Sequence, residues 1–242
     1  MSEAPAFIGT AGWGIAGRHA HLFPGSGTHL ERYARCLGAV EINSSFYRPH
    51  RRETYARWAG SVPDGFRFSV KLPKAITHEK RLAGCETLLD AFLESVSGLG
   101  DRLGVLLVQL PPSLPFDIAV AEPILRRLRQ STAAGLACEP RHASWFGAEP
   151  AAVLNELRIA RVQADPAPFP EAAEPGGWPQ LAYLRWHGTP RIYYSDYAPR
   201  QLAAIDRQVM LLHRAGRETW CIFDNTAEGH ALANAAALAG LA

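Results

Sequence analysis

Cysteine is scarce in this 242-residue chain, and the four present, Cys36, Cys85, Cys138 and Cys221, form no C-x-x-C pair. Such spacing argues against a zinc knuckle and a disulfide framework and reads as reduced, mostly buried thiols. Long apolar runs are missing too. No segment holds about 18 successive apolar residues, and the opening MSEAPAFIGTAGW lacks the basic region and apolar run of a secretory leader. The expectation is a cytoplasmic protein without a membrane partner. Charge of one sign is also absent: 25 Lys+Arg against 23 Asp+Glu leave +2. The basic residues are dispersed, so nucleic-acid binding through bulk charge finds little support. The densest basic cluster, Arg126, Arg127 and Arg129, shares a predicted helix with Leu125 and Leu128 and reads as a solvated face. No internal repeat or low-complexity tract is visible.

What is present is a hydrophobic content of 48%, enough for a large core in one domain spanning 1–242, and a regular change of period along the chain. Short apolar or alternating segments predict strands at 7–11, 39–48, 66–71, 104–110, 136–141, 159–165, 181–187 and 219–225. Between them lie helical patterns. Thr28 with Glu31 forms a capping-box signature before Leu30, Tyr33, Ala34 and Leu37. Further helices carry Tyr55, Trp58 and Val62, begin near Thr87, run shortly from Pro123 to Gln130, begin at Pro150, carry Leu202, Ile205 and Val209, and close the chain from about Ala227. The connection 166–180 has five prolines and two adjacent glycines and cannot be an ordinary helix.

Strand-helix alternation implies a parallel sheet with right-handed crossovers. In an open doubly wound sheet the central strands read as near-continuous apolar runs. Here the second, third, fifth, sixth and seventh strands each have a polar half. Val40 and Ile42 oppose Glu41 and Asn43, for example, and Leu184 and Trp186 oppose Tyr183, Arg185 and His187. The fold class expected is therefore α/β, a TIM-type (β/α)8 barrel with the helix after the sixth strand replaced by a Pro/Gly-rich loop. Its inward set would hold Glu41, Glu139 and Asp165 against Arg67, Lys71, Arg141, Arg161 and Arg185.

Several motifs carry chemistry in principle. Residues 12–17 match G-x-G-x-x-G, but no helix opens on the last glycine, so the stretch reads as a turn-rich loop. His19-Ala20-His21 has the look of a barrel metal pair, yet it sits about eight residues beyond the first strand, and no metal is assigned. Glu139, closing the fifth strand, is either a general base or an ion-pair partner of Arg141 or Arg185. Lys71, Arg185 and His187 end three strands, a grouping suited to a phosphate or carboxylate or, alternatively, counter-charge for the acids. Trp13, Phe46, Tyr47 and Trp145 follow strands and read as a stacking wall or as loop packing. Asp224-Asn225 ends the last strand or caps the last helix.

GTAGW at 9–13, VEINSSFYR at 40–48, VKLPKAITHEKRL at 70–82, LVQLPPSL at 107–114, EPRHASWF at 139–146, YLRWHG at 183–188 and IFDNTAEGHALANA at 222–235 together resemble the YecE-like family, domain-of-unknown-function family 72. The resemblance implies a TIM barrel in one domain and no established activity. It places family motif positions on Glu41, Asn43, Phe46, Tyr47, Lys71, His78, Arg81, Gln109, Glu139, Arg141, His142, Trp145, Arg185, His187 and Asn225. Where the family reads F-N-N, this chain has Phe223-Asp224-Asn225, so no role is carried to the middle position.

Two functions are carried forward. The first is a hydrolase or lyase acting on a small anionic or phosphorylated compound at the barrel mouth. Lys71, Arg185 and His187 would hold the anion, Glu139 or Glu41 would move a proton, and Trp13 and Trp145 would wall the site. Asn43, Tyr47, Gln109, Arg141, His142, Asp165 and Asn225 complete the substrate-binding candidates, with the cofactor left open. The second is a non-catalytic module binding nucleic acid or protein through aromatic loops and scattered arginines. Neither the substrate nor the oligomeric state is legible.

Overall fold

Alternation of side chains along successive parallel strands dictates the architecture. The computed structural model describes residues 6–241; residues 1–5, where the leader reading begins, lie outside them. Ten strands form one sheet: β1 (Ala6–Ala11), β2 (Ala39–Ile42), β3 (Arg67–Lys71), β4 (Leu103–Gln109), β5 (Gly135–Glu139), β6 (Ile159–Arg161), β7 (Gln163–Asp165), β8 (Gly176–Gly177), β9 (Leu181–Trp186) and β10 (Glu218–Phe223). Their order is β7-β9-β10-β1-β2-β3-β4-β5-β6-β8, and every pair is parallel except β6 with β8. Near the two ends of that order lie β6 and β7, separated in the chain by Val162 alone. One short run thus reaches β5 on one side and β9 on the other, and the sheet is a nearly closed, barrel-like ring in a mixed α/β fold.

The expected sixth strand is therefore two. Val162 N–H still donates to Cys138 O at 2.8 Å, after which the chain turns to pair Gln163–Asp165 with β9. Its faces are also opposite to expectation. Ala160 and Val162 join the apolar cluster inside the ring, while Gln163 bonds Gln208 of the outer helix α7 (Pro199–Arg214), and Arg161 lies over the Phe146 ring. Arg161 and Asp165 thus leave the inward set; Arg67 keeps the inward parity of Ser69 and Lys71 but starts β3, at the end away from them, where its guanidinium bonds Asp64 O and Phe66 O. For the run 159–165 the reason is the connection 166–180. It supplies only a 3-10 turn (Pro170–Ala173) and the two-residue β8, so no apolar helix demands an apolar outer face there.

Elsewhere helices cover the ring: α1 (His29–Ala34), α2 (Ser44–Tyr47), α3 (Arg52–Gly60), α4 (Glu86–Val96), α5 (Ile118–Gln130), α6 (Ala148–Glu156), α7 and α8 (His230–Leu238). The capping box opens α1, with Glu31 N–H donating to Thr28 Oγ1 and Thr28 N–H to Glu31 Oε2. Three boundaries differ most from expectation. The stretch 39–48 is extended only to Ile42, because Ser45 Oγ donates to Ile42 O and Lys71 O and folds the chain into α2. Helix α5 starts before Pro123, at a cap where Asp117 accepts from Ala119 N–H. The last helix starts only at His230, after the left-handed Gly229. No described helix is long and apolar enough to cross a membrane.

Two apolar clusters result. The larger lies between sheet and helices and contains Val40, Ile42, Phe68, Val70, Leu106 and Val108; the smaller fills the ring with Phe7, Val105, Leu107, Tyr183, Trp220 and Ile222. Trp220 stacks on Tyr183 (5.9 Å between ring centroids) and lies tilted against Phe7 (4.7 Å). Gly104 faces it so closely that a Cβ would lie 2.4 Å from its ring. Gly104→Ala is expected to cost about 1–3 kcal/mol of unfolding free energy in urea denaturation. Gly14→Ala, with nothing within 4 Å of its Cβ position, should stay within about 0.5 kcal/mol of wild type.

Candidate functional site

Farther along the same inward faces the side chains turn polar. Glu41 ends the inward face of β2, Ser69 and Lys71 that of β3, Gln109 that of β4 and Glu139 that of β5. Arg185 lies on β9 with His187 two residues on, and Asp224 follows β10. All are buried. At their centre is Arg185, 1% exposed. Its Nη2 and Nε donate to the two oxygens of Glu41 at 2.7 and 3.0 Å, its Nη1 to Glu139 Oε2 at 2.5 Å and its Nη2 to Asp224 Oδ2 at 2.9 Å. Glu139 Oε1 accepts from Gln109 Nε2 (3.0 Å) and Arg141 Nε (2.7 Å). Glu41 Oε2 also accepts from Tyr183 Oη (2.8 Å), which lies 2.7 Å from Ser69 Oγ.

Electrostatics follow from this packing. Burial would raise the Glu139 carboxyl, but Arg141, Arg185 and His187 outweigh it and hold the group well below the usual range. Burial likewise opposes ionisation of Asp224, which Arg185 and the hydrogen bond from His187 overcome, leaving it lowered. For His187, burial and Arg185 push the imidazole down; Glu139 and Asp224, the latter 2.9 Å from Nδ1, prevail, and its pKa is raised. Three carboxylates (Glu41, Glu139, Asp224) are thus held by Arg185, Arg141 and His187, with Lys71 nearby but unpaired among the described residues; with Lys71 charged, protonation of His187 leaves one positive charge in excess.

Above this network opens a cavity of about 390 Å³ lined by Asn43, Tyr47, Lys71, Tyr193, Tyr194 and Asp224 among others. Lys71 makes no salt bridge or hydrogen bond through Nζ among the described residues and rests 4.0 Å over the Phe46 ring. Burial, with Arg185 adding to it, pushes its pKa down to about 8, against the pull of Glu41, Glu139 and Asp224. Asn43 Oδ1 is buried with no hydrogen-bond partner. Over the cavity passes the loop 188–198, in which Tyr193 adopts a left-handed φ of 71° and sets its ring edge-on to His187.

The structure thus brings together Glu41, Lys71, Gln109, Glu139, Arg141, Arg185 and His187, with Asn43 and Tyr47 at the cavity. The remaining candidates lie elsewhere. Asp165 accepts from Thr189 Oγ1 and Tyr197 Oη. Asn225 Nδ2 holds Ser195 O and Asn234 Oδ1. Trp13 packs on Trp58, and Trp145 packs on Phe116 with its Nε1 on Leu114 O. His142 accepts from Ser144 N–H at the turn Ala143–Phe146. Two participants escaped the sequence reading, Ser69 and Tyr183 in its structural role, and Asp224 entered it only as a strand end or a helix cap. Continuing the alternation from Trp220 through Ile222 points Asp224 inward, and the cap reading fails because α8 begins later. Among the described residues no group of three or more His, Cys, Asp or Glu side chains is placed to hold a metal ion.

Comparison with known proteins places this geometry among relatives. Residues 7–242 match the family described as "Protein of unknown function DUF72". The "UPF0759 protein YecE" of Escherichia coli (strain K12) is 39% identical over 84 residues, 35% of this chain and 31% of that protein. The "UPF0759 protein YunF" of Bacillus subtilis (strain 168) is 28% identical over 151 residues, 58% of this chain and 52% of that protein. The matched regions therefore span about a third to a half of these relatives. In fold, the chain resembles the crystal structure of a DUF72 family protein from Enterococcus faecalis V583, with a TM-score of 0.80 at 23% identity, covering 98% of this chain and 95% of that one. It also resembles a DUF72 family protein from Thermotoga maritima MSB8, with a TM-score of 0.76 at 24% identity and 98% of both chains covered.

Two measurements separate scaffold from site. Glu139→Gln removes a buried charge that Arg185 and Arg141 need and is expected to cost about 3–5 kcal/mol in urea denaturation, whereas Lys71→Met, removing a desolvated cation without an acid partner, should be neutral or stabilising. For His187, the stabilisation by the protonated ring is fully present below its ordinary value of 6.5 and is lost as pH rises through the higher folded value. The stability gap between wild type and His187→Gln should therefore be wider at about pH 5 than at about pH 9.

Proposed function

Because the chain belongs to the DUF72 family, whose description assigns no activity, we propose a function from its own geometry: a hydrolase or lyase binding a small anionic compound at the mouth of a TIM-type (β/α)8 barrel. The observation carrying this reading is the division of labour among the buried charges. Glu41 and Glu139 are engaged by guanidinium groups beneath the floor, while Lys71, Asp224 and Asn43 converge on one cavity with bonding capacity to spare. A volume of about 390 Å³ lies in the range of small-molecule sites. Functional groups of such barrels gather at the C-terminal ends of the strands, where these lie.

Chemically, Lys71 is the cation suited to a substrate phosphate or carboxylate, and the positive excess on protonation of His187 strengthens that attraction. Asp224 Oδ2 is held by Arg185 and His187, and its Oδ1 makes no bond among the described residues and is free to take or return a proton. Fixed dipoles in a half-closed site supply the remaining stabilisation. A second reading, a module for nucleic acid, is favoured by the aromatic rim. Tyr47 is 80% exposed, Tyr193 and Tyr194 are partly exposed, and Arg191 stacks on Tyr194 at 3.8 Å.

Titration calorimetry with a panel of phosphorylated and carboxylated metabolites tests the first reading. A ligand should bind wild type and lose about ten- to a hundred-fold in affinity in Lys71→Met, the loss of one charge-assisted hydrogen bond, but less in Lys71→Arg. Absence of any such ligand, together with oligonucleotide binding that falls steeply with salt, would favour the second.

A further inference from the structure

Accepting the cavity as an active site, we infer that Lys71 is not only a point charge but a nucleophile, whose amine adds to the carbonyl carbon of a small hydroxy-aldehyde or hydroxy-ketone to form an imine. Three features of the cavity lead there. Where the fold needs a permanent cation among its acids it uses Arg185 and Arg141, each bonded to carboxylate oxygens. The cation lining the cavity is instead a lysine, which can shed its proton. It is 9% exposed, has no carboxylate oxygen within 4.0 Å among the described residues, and lies on an aromatic face. Such surroundings favour the free amine, and burial pushes Lys71 down to about 8. Around it stand Arg185, Glu41, Glu139 and Asp224, together with His78, kept neutral by burial, Lys71 and Arg141.

The second feature is Asp224 on the same cavity, with Oδ2 immobilised and Oδ1 free. The Lys71 ammonium gives its proton to solvent in the open cavity, and the amine lone pair attacks the carbonyl carbon. The C–O π electrons move to oxygen, which receives that proton back from solvent. Asp224 then removes a second proton from nitrogen and delivers it to the hydroxyl, which departs as water while the nitrogen lone pair forms C=N. One ammonium and one carbonyl give one iminium and one water, with the carboxylate restored. The third feature is the buried, unpartnered Asn43 Oδ1. Leaving such an acceptor empty is costly, and a turn of the Asn43 side chain into the cavity it lines would let it accept a substrate O–H beside the carbonyl, which points to the hydroxycarbonyl class.

The chain has three lysines, Lys71, Lys74 and Lys80, so the chemistry can be mapped cleanly. Wild-type protein is incubated with glycolaldehyde, dihydroxyacetone or pyruvate, reduced with sodium cyanoborohydride, digested and weighed by mass spectrometry. A secondary-amine adduct is expected at Lys71, about ten-fold or more above those at Lys74 and Lys80, because its amine fraction near neutral pH is larger. Its yield should climb with pH through about 8. Lys71→Arg should abolish it, and Asn43→Leu should depress labelling by the two hydroxylated probes about ten-fold, one lost hydrogen bond, while sparing pyruvate. Labelling of Lys71 no greater than that of Lys74 and Lys80 with all three probes would overturn the inference. Should Lys71 stay unlabelled while anion binding survives in Lys71→Arg, the nucleophile falls and the anion site stands; loss of both removes both.

Discussion

A guanidinium inside a protein must be matched by carboxylates, and Arg185 is matched by Glu41, Glu139 and Asp224 from three other parts of the ring. Glu41 is 144 positions away in sequence, Glu139 46 and Asp224 39. No local structure could satisfy that group. The charges are compensated only when β2, β5, β9 and the end of β10 face one interior at the right height, because a slip of one residue would turn each side chain to the helix side. Tyr183 and Ser69 below, and Gln109 and Arg141 beside, take up the remaining lone pairs. The floor of the mouth is thus a fully bonded polar layer over an apolar plug centred on Trp220.

That completeness gives the groups above it their freedom. Two guanidinium groups and His187 hold the three acids, so Lys71 has no bonded partner and meets Phe46 instead. The roof is held as firmly as the floor. Tyr197 Oη donates to Asp165, Asn225 Nδ2 reaches Ser195 O, Asn234 Nδ2 reaches Asp196, and Ala227 N–H bonds Tyr193 O. These anchors keep Tyr193 in a left-handed conformation that a bulky residue rarely adopts, over His187 and beside the cavity. Asp165 and Asn225 therefore bear on the site through the loop they fasten.

Alternation made much of this legible. It identified the inward faces of β2, β3, β5 and β9, hence the meeting of Glu41, Lys71, Glu139 and Arg185. It misassigned the run 159–165 for a physical reason: a polar half-strand marks the face lacking an apolar cover, and here the uncovered face is the outer one. The expected aromatic wall divides: Tyr47 lines the opening with Tyr193 and Tyr194, and Phe46 lies under Lys71, while Trp13 and Trp145 are drawn under loops by other rings.

By itself the amino-acid order determined the element types, the parallel sense of the strands and which side chains share a strand face, because these depend on periods of two and 3.6 residues and on nearby turn chemistry. Only the tertiary structure decided which acids are consumed by Arg185, that Asp224 belongs with them, and that Lys71 and Asn43 are left unsatisfied at one cavity. Those outcomes depend on distances between segments far apart in the chain, and on burial, which converts an ordinary charge into one that must find a partner or give up its proton.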